Sequence, residues 1–311
     1  MIALEVKNLT KTFGKLKAVD EASFIVPEGS IFGLLGRNGA GKTTTIRMMM
    51  NIYMPDTGEV IFRGLKTGID FNSKVGYLPE ERGLYKKMKV LDTLLFFAEI
   101  KGKSGSVVTK KAKEYLERFD LADRMNSKIE DLSKGNQQKI QFISTLLHEP
   151  EVLILDELFS GLDPINTNLM REMILELKKQ GKVILFSTHI MDFAEKMCDH
   201  IAIIDKGKIK LNDSMANIKA KYSQKNISLA YDGDLGFLKT HPMVEKISDY
   251  GNTVGIKIKD VRDTQNLLKL LIDNNIEIQR FDANDISLQE IFIDLVGQDE
   301  NNEIQKEAAN V

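Results

Sequence analysis

The sequence predicts an α/β fold with a largely parallel core sheet, followed by a small α+β unit. Three observations predict it. The segments 152–156 and 183–186 are continuous Val, Ile, Leu and Phe runs, the texture of strands covered on both faces. Helical periods separate these runs from each other and from an earlier apolar strand at 31–35. Beyond residue 222 the pattern restarts as short alternating strands, and the charge balance reverses. The first 222 residues carry 34 basic and 29 acidic side chains, whereas residues 223–311 carry 9 and 16.

Taken in order, 2–6 alternates as a strand and 22–26 is a second, closed by Pro27-Glu28-Gly29. The strand 31–35 leads into a glycine-rich turn and a helix that stops near Tyr53, before the turn Pro55-Asp56-Thr57-Gly58. Strands at 59–62 and 75–77 follow. Three helices come next, from Val90, at 109–119 and at 134–148, and form a helical block over about 84–148. The buried strand 152–156 is followed by a helix at 164–179, with Pro164 in its first turn. After strand 183–186 come a helix at 191–198 and a hairpin-like pair at 201–204 and 208–211. The remainder reads as strands at 227–231, 244–248 and 254–258, a helix at 261–274, a strand at 276–280 and a helix at 287–296. The expected division is thus 1–222, 223–297 and a polar, disordered tail at 298–311.

A length of 311 residues with 42% hydrophobic and 28% charged side chains fits about two ordinary globular domains. The net charge of −2 argues against a dedicated nucleic-acid binder. Cys198 is the one cysteine, so no internal disulfide forms, which fits a reducing compartment. The start of the chain reads as an amphipathic strand, not as a signal peptide. No apolar run approaches the roughly 20 residues of a membrane helix, so any span must come from another chain.

The chemistry centres on Gly36-Arg37-Asn38-Gly39-Ala40-Gly41-Lys42-Thr43-Thr44, set between strand and helix. In that context G-x-x-x-x-G-K-[ST] reads as a phosphate-binding loop. The glycines let backbone N–H groups converge on an anion, and the helix turns its positive end toward it. Lys42 is placed for the β- and γ-phosphates and Thr43 for Mg²⁺. Asp156 and Glu157 follow a buried strand, at the sheet edge where ligands gather. Asp156 is a candidate Mg²⁺ ligand and Glu157 a candidate base for an attacking water. Ser187-Thr188-His189 ends the next strand, making His189 either a γ-phosphate contact or an ordinary solvated histidine. Ser133 and Gly135, in Leu132-Ser133-Lys134-Gly135-Asn136-Gln137, open a helix that is either simply capped or an anion contact.

With these residues in place, the chain resembles the ATP-binding subunit of an ABC transporter. The phosphate loop, the 132–137 signature, Asp156-Glu157, Ser160-Gly161-Leu162-Asp163 and His189 occur in that family's order and spacing over about residues 1–222. The segment 77–85, with its Tyr77-Leu78-Pro79-Glu80-Glu81 start, and the C-terminal extension resemble exporter-type bacterial members. The resemblance implies a P-loop NTPase of ABC type, with a mixed core sheet, an N-terminal β subdomain and a helical subdomain. It further implies ATP and Mg²⁺ as ligands, a separate membrane-spanning permease subunit, a second ATP-binding subunit and a peripheral place on the cytoplasmic face of the membrane. By position it makes Phe13 the adenine-stacking aromatic, although the same residue also reads as an ordinary strand-end ring. Ser133 and Gly135 would touch the γ-phosphate held by the opposite subunit, and Asp163 would lie at the dimer seam. Glu157 would act as general base, and His189 would link the γ-phosphate to that seam.

The sequence departs from the family pattern at Glu80, where Gln is usual; its carboxylate offers Mg²⁺ an oxygen but brings charge beside phosphate. Lys134, Asn136 and Leu158 also replace the usual residues. These changes are expected to tune coupling, not to abolish hydrolysis. Two other readings stay open: a soluble ABC ATPase without a transport role, and a nucleotide-gated regulatory module. Met48-Met49-Met50 reads as helix core, Cys198 as a small buried hydrophobe, and Lys86-Lys87-Met88-Lys89 as a solvated face or one near lipid headgroups.

Overall fold

The computed structural model of the chain describes residues 1–296 apart from Arg82, 224–225, Asn252 and 284–285. The expected tail at 298–311, and Arg82 within the 77–85 segment, lie outside the described residues. The chain divides into two compact units: Met1–Ile190 with Met197–Asn212, and Met191–Lys196 with the residues from Asp213 onward. The division therefore falls about ten residues before the expected one, because the helix Met215–Ser223 groups with the second unit.

The first unit holds two sheets. One is four-stranded and antiparallel where its pairings are defined, in the order Leu16–Pro27, Ile2–Phe13, Thr57–Phe62, Leu65–Lys66. Its first strand runs to Phe13, well past the expected 2–6. Register shifts between Val6 and Leu9 and again around Lys11, with Asn8 at φ 48°, move the inward face by a residue. A single period of two therefore breaks in the sequence although the strand continues.

The second sheet is six-stranded, in the order Lys208–Ser214, His200–Asp205, Ile31–Leu35, Val183–Thr188, Val152–Asp156, Val75–Leu78. The pairings from His200–Asp205 through Val75–Leu78 are parallel. Ile31–Leu35, Val152–Asp156 and Val183–Thr188 are buried at every position, as their unbroken apolar runs require. Phe24 and Phe32 stack at 5.1 Å, and Met48 and Met49 are fully buried in the same core. Gly33 has room for no side chain, since a Cβ there would stand 2.7 Å from Cys198 Sγ. Cys198 is itself buried, and desolvation pushes its thiol pKa well up, so it packs as a small hydrophobe. Helices Val90–Ile100, Ser106–Arg118 and Lys134–Leu146 form the helical block, with Phe119 and Phe142 buried edge to face.

The second unit carries an antiparallel sheet in the order Val244–Asp249, Val254–Ile258, Asn226–Asp232, Glu277–Ala283. Leu267 and Leu271 of helix Thr264–Asp273 join Leu229 and Ile256 in its core. The expected 261–274 helix begins as a short 3-10 turn, Val261–Asp263, before the α-helix. A last helix spans 288–296. Among the described residues no helix is long and apolar enough to cross a membrane.

Candidate nucleotide-binding site

The fully buried strand Ile31–Leu35 delivers the glycine-rich turn to the carboxyl end of the parallel sheet. Gly41 sits at φ 110°, and a Cβ on it would come within 2.5 Å of the Ala18 carbonyl. Only glycine meets both demands. Gly41 is also the N-cap of helix Lys42–Met49 and supplies no side-chain cap. The first-turn N–H groups are thereby left to an external anion. Lys42 is only 5% exposed, and its Nζ donates to the Gly36 and Arg37 carbonyls at 2.9 and 3.1 Å.

The acidic pair is held by the neighbouring strand. Parallel pairing sets Asp156 opposite Ser187. The Ser187 hydroxyl donates to Asp156 Oδ1 at 2.5 Å and accepts the Glu157 N–H at 3.1 Å. One hydroxyl therefore fixes both acids. Asp156 is fully buried, and its second oxygen, Oδ2, has no hydrogen-bond partner. Burial pushes the Asp156 carboxyl pKa up; hydrogen bonds from Ser187 and Thr43 oppose this, and the charges of Glu80 and Glu157 add to it. Glu157 adopts φ 52°, a left-handed conformation that turns its side chain out of the strand's alternation. Its Oε1 lies 3.1 Å from Lys42 Nζ and its Oε2 3.0 Å from His189 Nδ1. The structure thus joins Lys42, Glu157 and His189 in one chain of contacts.

The Asp156 carboxylate, which interacts with Thr43 and keeps a buried, unpartnered Oδ2, suits a hard divalent cation such as Mg²⁺. Among the described residues no group of three or more His, Cys, Asp or Glu forms a metal centre. A cation here would therefore take its remaining ligands from phosphate and water, as Mg²⁺ does.

A cleft of about 590 Å³ brings Phe13, Asn38, Lys42, Thr43, Glu80 and Glu157 together. Gly39, Gly41 and Thr44 also line it, whereas Gly36 and Ala40 support the loop from behind, Ala40 being 4% exposed. Phe13 is 44% exposed at the cleft, edge to face with Tyr53 at 5.5 Å and with Lys11 Nζ over its ring at 5.8 Å from the centroid. Asp56 anchors that corner through the Thr12 N–H and Lys11 Nζ at 2.7 and 2.9 Å. A second cleft of about 680 Å³ shares Glu80 and Glu157 but is walled by Lys134, Gln138 and Ser160.

Ser133, Gly135 and Asp163 do not line the Lys42 cleft. Ser133 caps helix Lys134–Leu146 through the Asn136 N–H at 3.3 Å. Asp163 caps helix Pro164–Lys179 through the Asn166 N–H at 3.0 Å, which lowers its carboxyl pKa. Three residues of structural weight were not singled out by the motifs. Ser187 stands in the sequence only as part of the strand end Ser187-Thr188-His189. Gln138 donates to the Leu158 carbonyl, and Gln141 to the Pro79 and Glu81 carbonyls, tying the signature helix to the loops that bear Glu157 and Glu80. Both glutamines are buried one helical turn apart, at 7% and 5% exposure.

Comparison with known proteins agrees with this geometry. The ABC transporter family matches residues 19–160, and the C-terminal domain described as ATP-binding protein DrrA1-3-like matches residues 214–296. The uncharacterized ABC transporter ATP-binding protein YhaQ of Bacillus subtilis is 43% identical, over 94% of this chain and 98% of its own. The bacitracin transport ATP-binding protein BcrA of Bacillus licheniformis is 31% identical, over 94% and 97% respectively. A solved ATP-binding subunit of an ABC transporter superimposes with a TM-score of 0.66 at 31% identity, covering 71% of this chain and 93% of that one. The chain belongs to the ABC transporter ATP-binding proteins, as an ATPase subunit whose nucleotide-binding domain is followed by a DrrA1-3-like C-terminal domain.

Proposed function

We propose that this ATPase powers export through a separate membrane-spanning subunit, at the cytoplasmic face of the membrane. The observation that carries the reading is the convergence of Lys42, Glu157 and His189 at the carboxyl end of the parallel sheet. Lys42 and the first-turn amides would hold the β- and γ-phosphates, with adenine on the exposed face of Phe13. Glu157 would orient a water for in-line attack on the γ-phosphorus and accept its proton, while His189 holds the carboxylate's other oxygen in place. Thr43 and Asp156, with Glu80, are the residues that would hold Mg²⁺; when bound, the ion neutralises charge on the phosphate oxygens.

The exposed Ser133 and the half-buried Gly135 do not line the Lys42 cleft, which supports their contact with nucleotide on a second ATP-binding subunit. ATP would then join two subunits, with Asp163 at the seam. Coupling to the permease is supported by an apolar groove lined by Tyr77, Pro79, Leu84 and Phe97, adjoining Glu80 in the chain. Tyr85, 52% exposed, packs with Phe96 and Phe97 at its rim. Export is supported by the similarity to a bacitracin transport ATP-binding protein across nearly the whole chain.

The test is to recover the tagged chain from membranes and assay the complex. A membrane-spanning protein should co-purify, and the complex should hydrolyse ATP in a Mg²⁺-dependent way. Full ATP turnover by a chain that never associates with a membrane protein would instead favour an ATPase without a transport role.

A further inference from the structure

We propose that Glu195 is a positioning residue for His189, through which the C-terminal unit sets the placement of the γ-phosphate-side histidine. The inference rests on the catalytic reading of His189 given above. It starts from the course of the chain. Met191–Lys196 lies between two stretches of the ATPase unit in sequence, yet it groups by contact with the C-terminal unit. This segment is most of the helix Met191–Met197, which begins two residues after His189. Between them stands Ile190, whose N–H is fixed on the Thr188 hydroxyl at 3.1 Å. At the helix's N-terminal end a displacement along its axis is therefore absorbed in the backbone of His189 and Ile190.

Glu195 is what fastens that helix within the C-terminal unit. Its Oε1 lies 2.5 Å from Lys219 Nζ, and its Oε2 accepts the Leu288 N–H at 2.7 Å. Both partners are fixed in turn. Lys219 also donates to the Ile286 carbonyl at 2.6 Å. Leu288 opens the helix 288–296, where Ser287 and Glu290 cap each other: the Ser287 N–H donates to Glu290 Oε2 at 2.7 Å and the Glu290 N–H to Ser287 Oγ at 3.2 Å. Glu290 is 4% exposed and also receives the Ser228 hydroxyl at 3.2 Å, which ties the helix to the sheet. The Glu195 carboxylate is thus held by two charge-assisted bonds to groups that do not move independently of the domain.

The consequence concerns His189. In this structure its Nδ1 is 3.0 Å from Glu157 Oε2, so it faces the carboxylate proposed as the base. Any shift of His189 toward phosphate draws on the helix that Glu195 holds. Conversely, a ligand or partner that shifts the C-terminal unit would reach His189 through seven residues of helix, with no contact to the nucleotide. The C-terminal unit becomes a regulator of turnover, not of nucleotide affinity.

The experiment measures kcat and KM for ATP in the full-length protein carrying Glu195→Ala, Glu195→Gln, His189→Ala and the double change. Glu195→Ala should lower kcat about tenfold with KM unchanged, the signature of lost positioning and not of lost binding. Glu195→Gln, which keeps an acceptor for the Leu288 N–H, should lose less. In the His189→Ala background Glu195→Ala should cost nothing further. A second readout is amide exchange across 286–296 with and without a non-hydrolysable ATP analogue. Wild type should change its protection there, and His189→Ala and Glu195→Ala should not. Multiplying losses in the double variant, or exchange at 286–296 that ignores nucleotide in wild type, would overturn the proposal. If Glu195→Ala fails to fold, Glu195→Gln carries the same cycle. Multiplying losses beside normal wild-type turnover would remove only the role of Glu195. Full turnover by His189→Ala would remove the reading of His189 beneath it.

Discussion

Lys42 Nζ stands 3.1 Å from Glu157 Oε1, with the two side chains only 5% and 6% exposed. The lysine placed to grip phosphate is engaged by the acid placed to activate water. The contact is an ion pair without hydrogen-bond alignment, since Glu157 Oε1 has no hydrogen-bond donor. A buried pair of this kind is costly to break on one side alone, because the partner is left as an uncompensated charge. On the proposed reading, phosphate oxygens would take over Lys42 and release Glu157 toward a water, so that the pair would make the base available only when nucleotide is present.

Glu157→Gln therefore has two expected effects of opposite sign. Turnover should fall by about 10²-fold or more, as removal of a general base does. Affinity for ATP should rise, because Lys42 no longer exchanges a carboxylate for phosphate. Steady-state hydrolysis and titration with a fluorescent ATP analogue separate the two. Turnover at the wild-type level would remove Glu157 from the role of base.

Ser187→Ala tests the hinge between the acids. The hydroxyl serves Asp156 Oδ1 and the Glu157 N–H at once, both in buried surroundings. Its loss strands two buried polar groups, at a cost of about 1–3 kcal/mol each. Thermal melts should show a clear drop, and the Mg²⁺ concentration for half-maximal turnover should rise as Asp156 loses its fixed orientation. An unchanged melting temperature with an unchanged Mg²⁺ requirement would mean that water replaces the hydroxyl.

The contrast between Glu157 and Ser187 shows what was legible in the sequence. The phosphate loop announces itself because one short run, Gly36 to Thr44, contains the glycines, the lysine and the hydroxyl together. The parallel core was equally legible, because strands covered on both faces must be apolar throughout. The hydrogen bonding of Ser187 to Asp156 depends on pairing across 31 residues, which no local pattern encodes. Strand Ile2–Phe13 shows only its first part in the alternation for a related reason: its register shifts scramble the pattern while the pairing continues. Helix Met215–Ser223 carries no mark in the sequence of the unit it groups with.

Glu80→Gln restores the amide usual in the family and tests whether the carboxylate holds metal. Glu80 lines the Lys42 cleft, is exposed there, and its charge adds to the rise in the Asp156 pKa. A carboxylate ligand binds a hard cation more tightly than an amide, since affinity follows the ligand charge count. Half-saturating Mg²⁺ for turnover should rise about three- to tenfold in Glu80→Gln. An unmoved Mg²⁺ titration would exclude Glu80 from the metal's ligands.

His148 should give the protein a stability limit on the acid side. It is 6% exposed, and its Nε2 is 3.1 Å from the Val75 carbonyl, which makes Nε2–H the donor. Its Nδ1 is buried with no partner, so a proton added there would meet no acceptor. Burial, reinforced by the charges of Lys101, Lys103 and Lys182, lowers its pKa from 6.5 to about 4. A histidine whose pKa is depressed in the folded state costs nothing above its unfolded pKa, because both states are then neutral. As pH falls from 6.5 toward about 4, the unfolded chain takes up a proton that the folded chain refuses, and stability is lost. Integrated over that window the effect approaches about 3 kcal/mol. His148→Gln keeps a donor for Val75 without a titrating ring. Its urea midpoint should therefore decline less between pH 7 and pH 5 than that of wild type. Parallel declines for the two proteins would show that His148 protonates freely in the folded state.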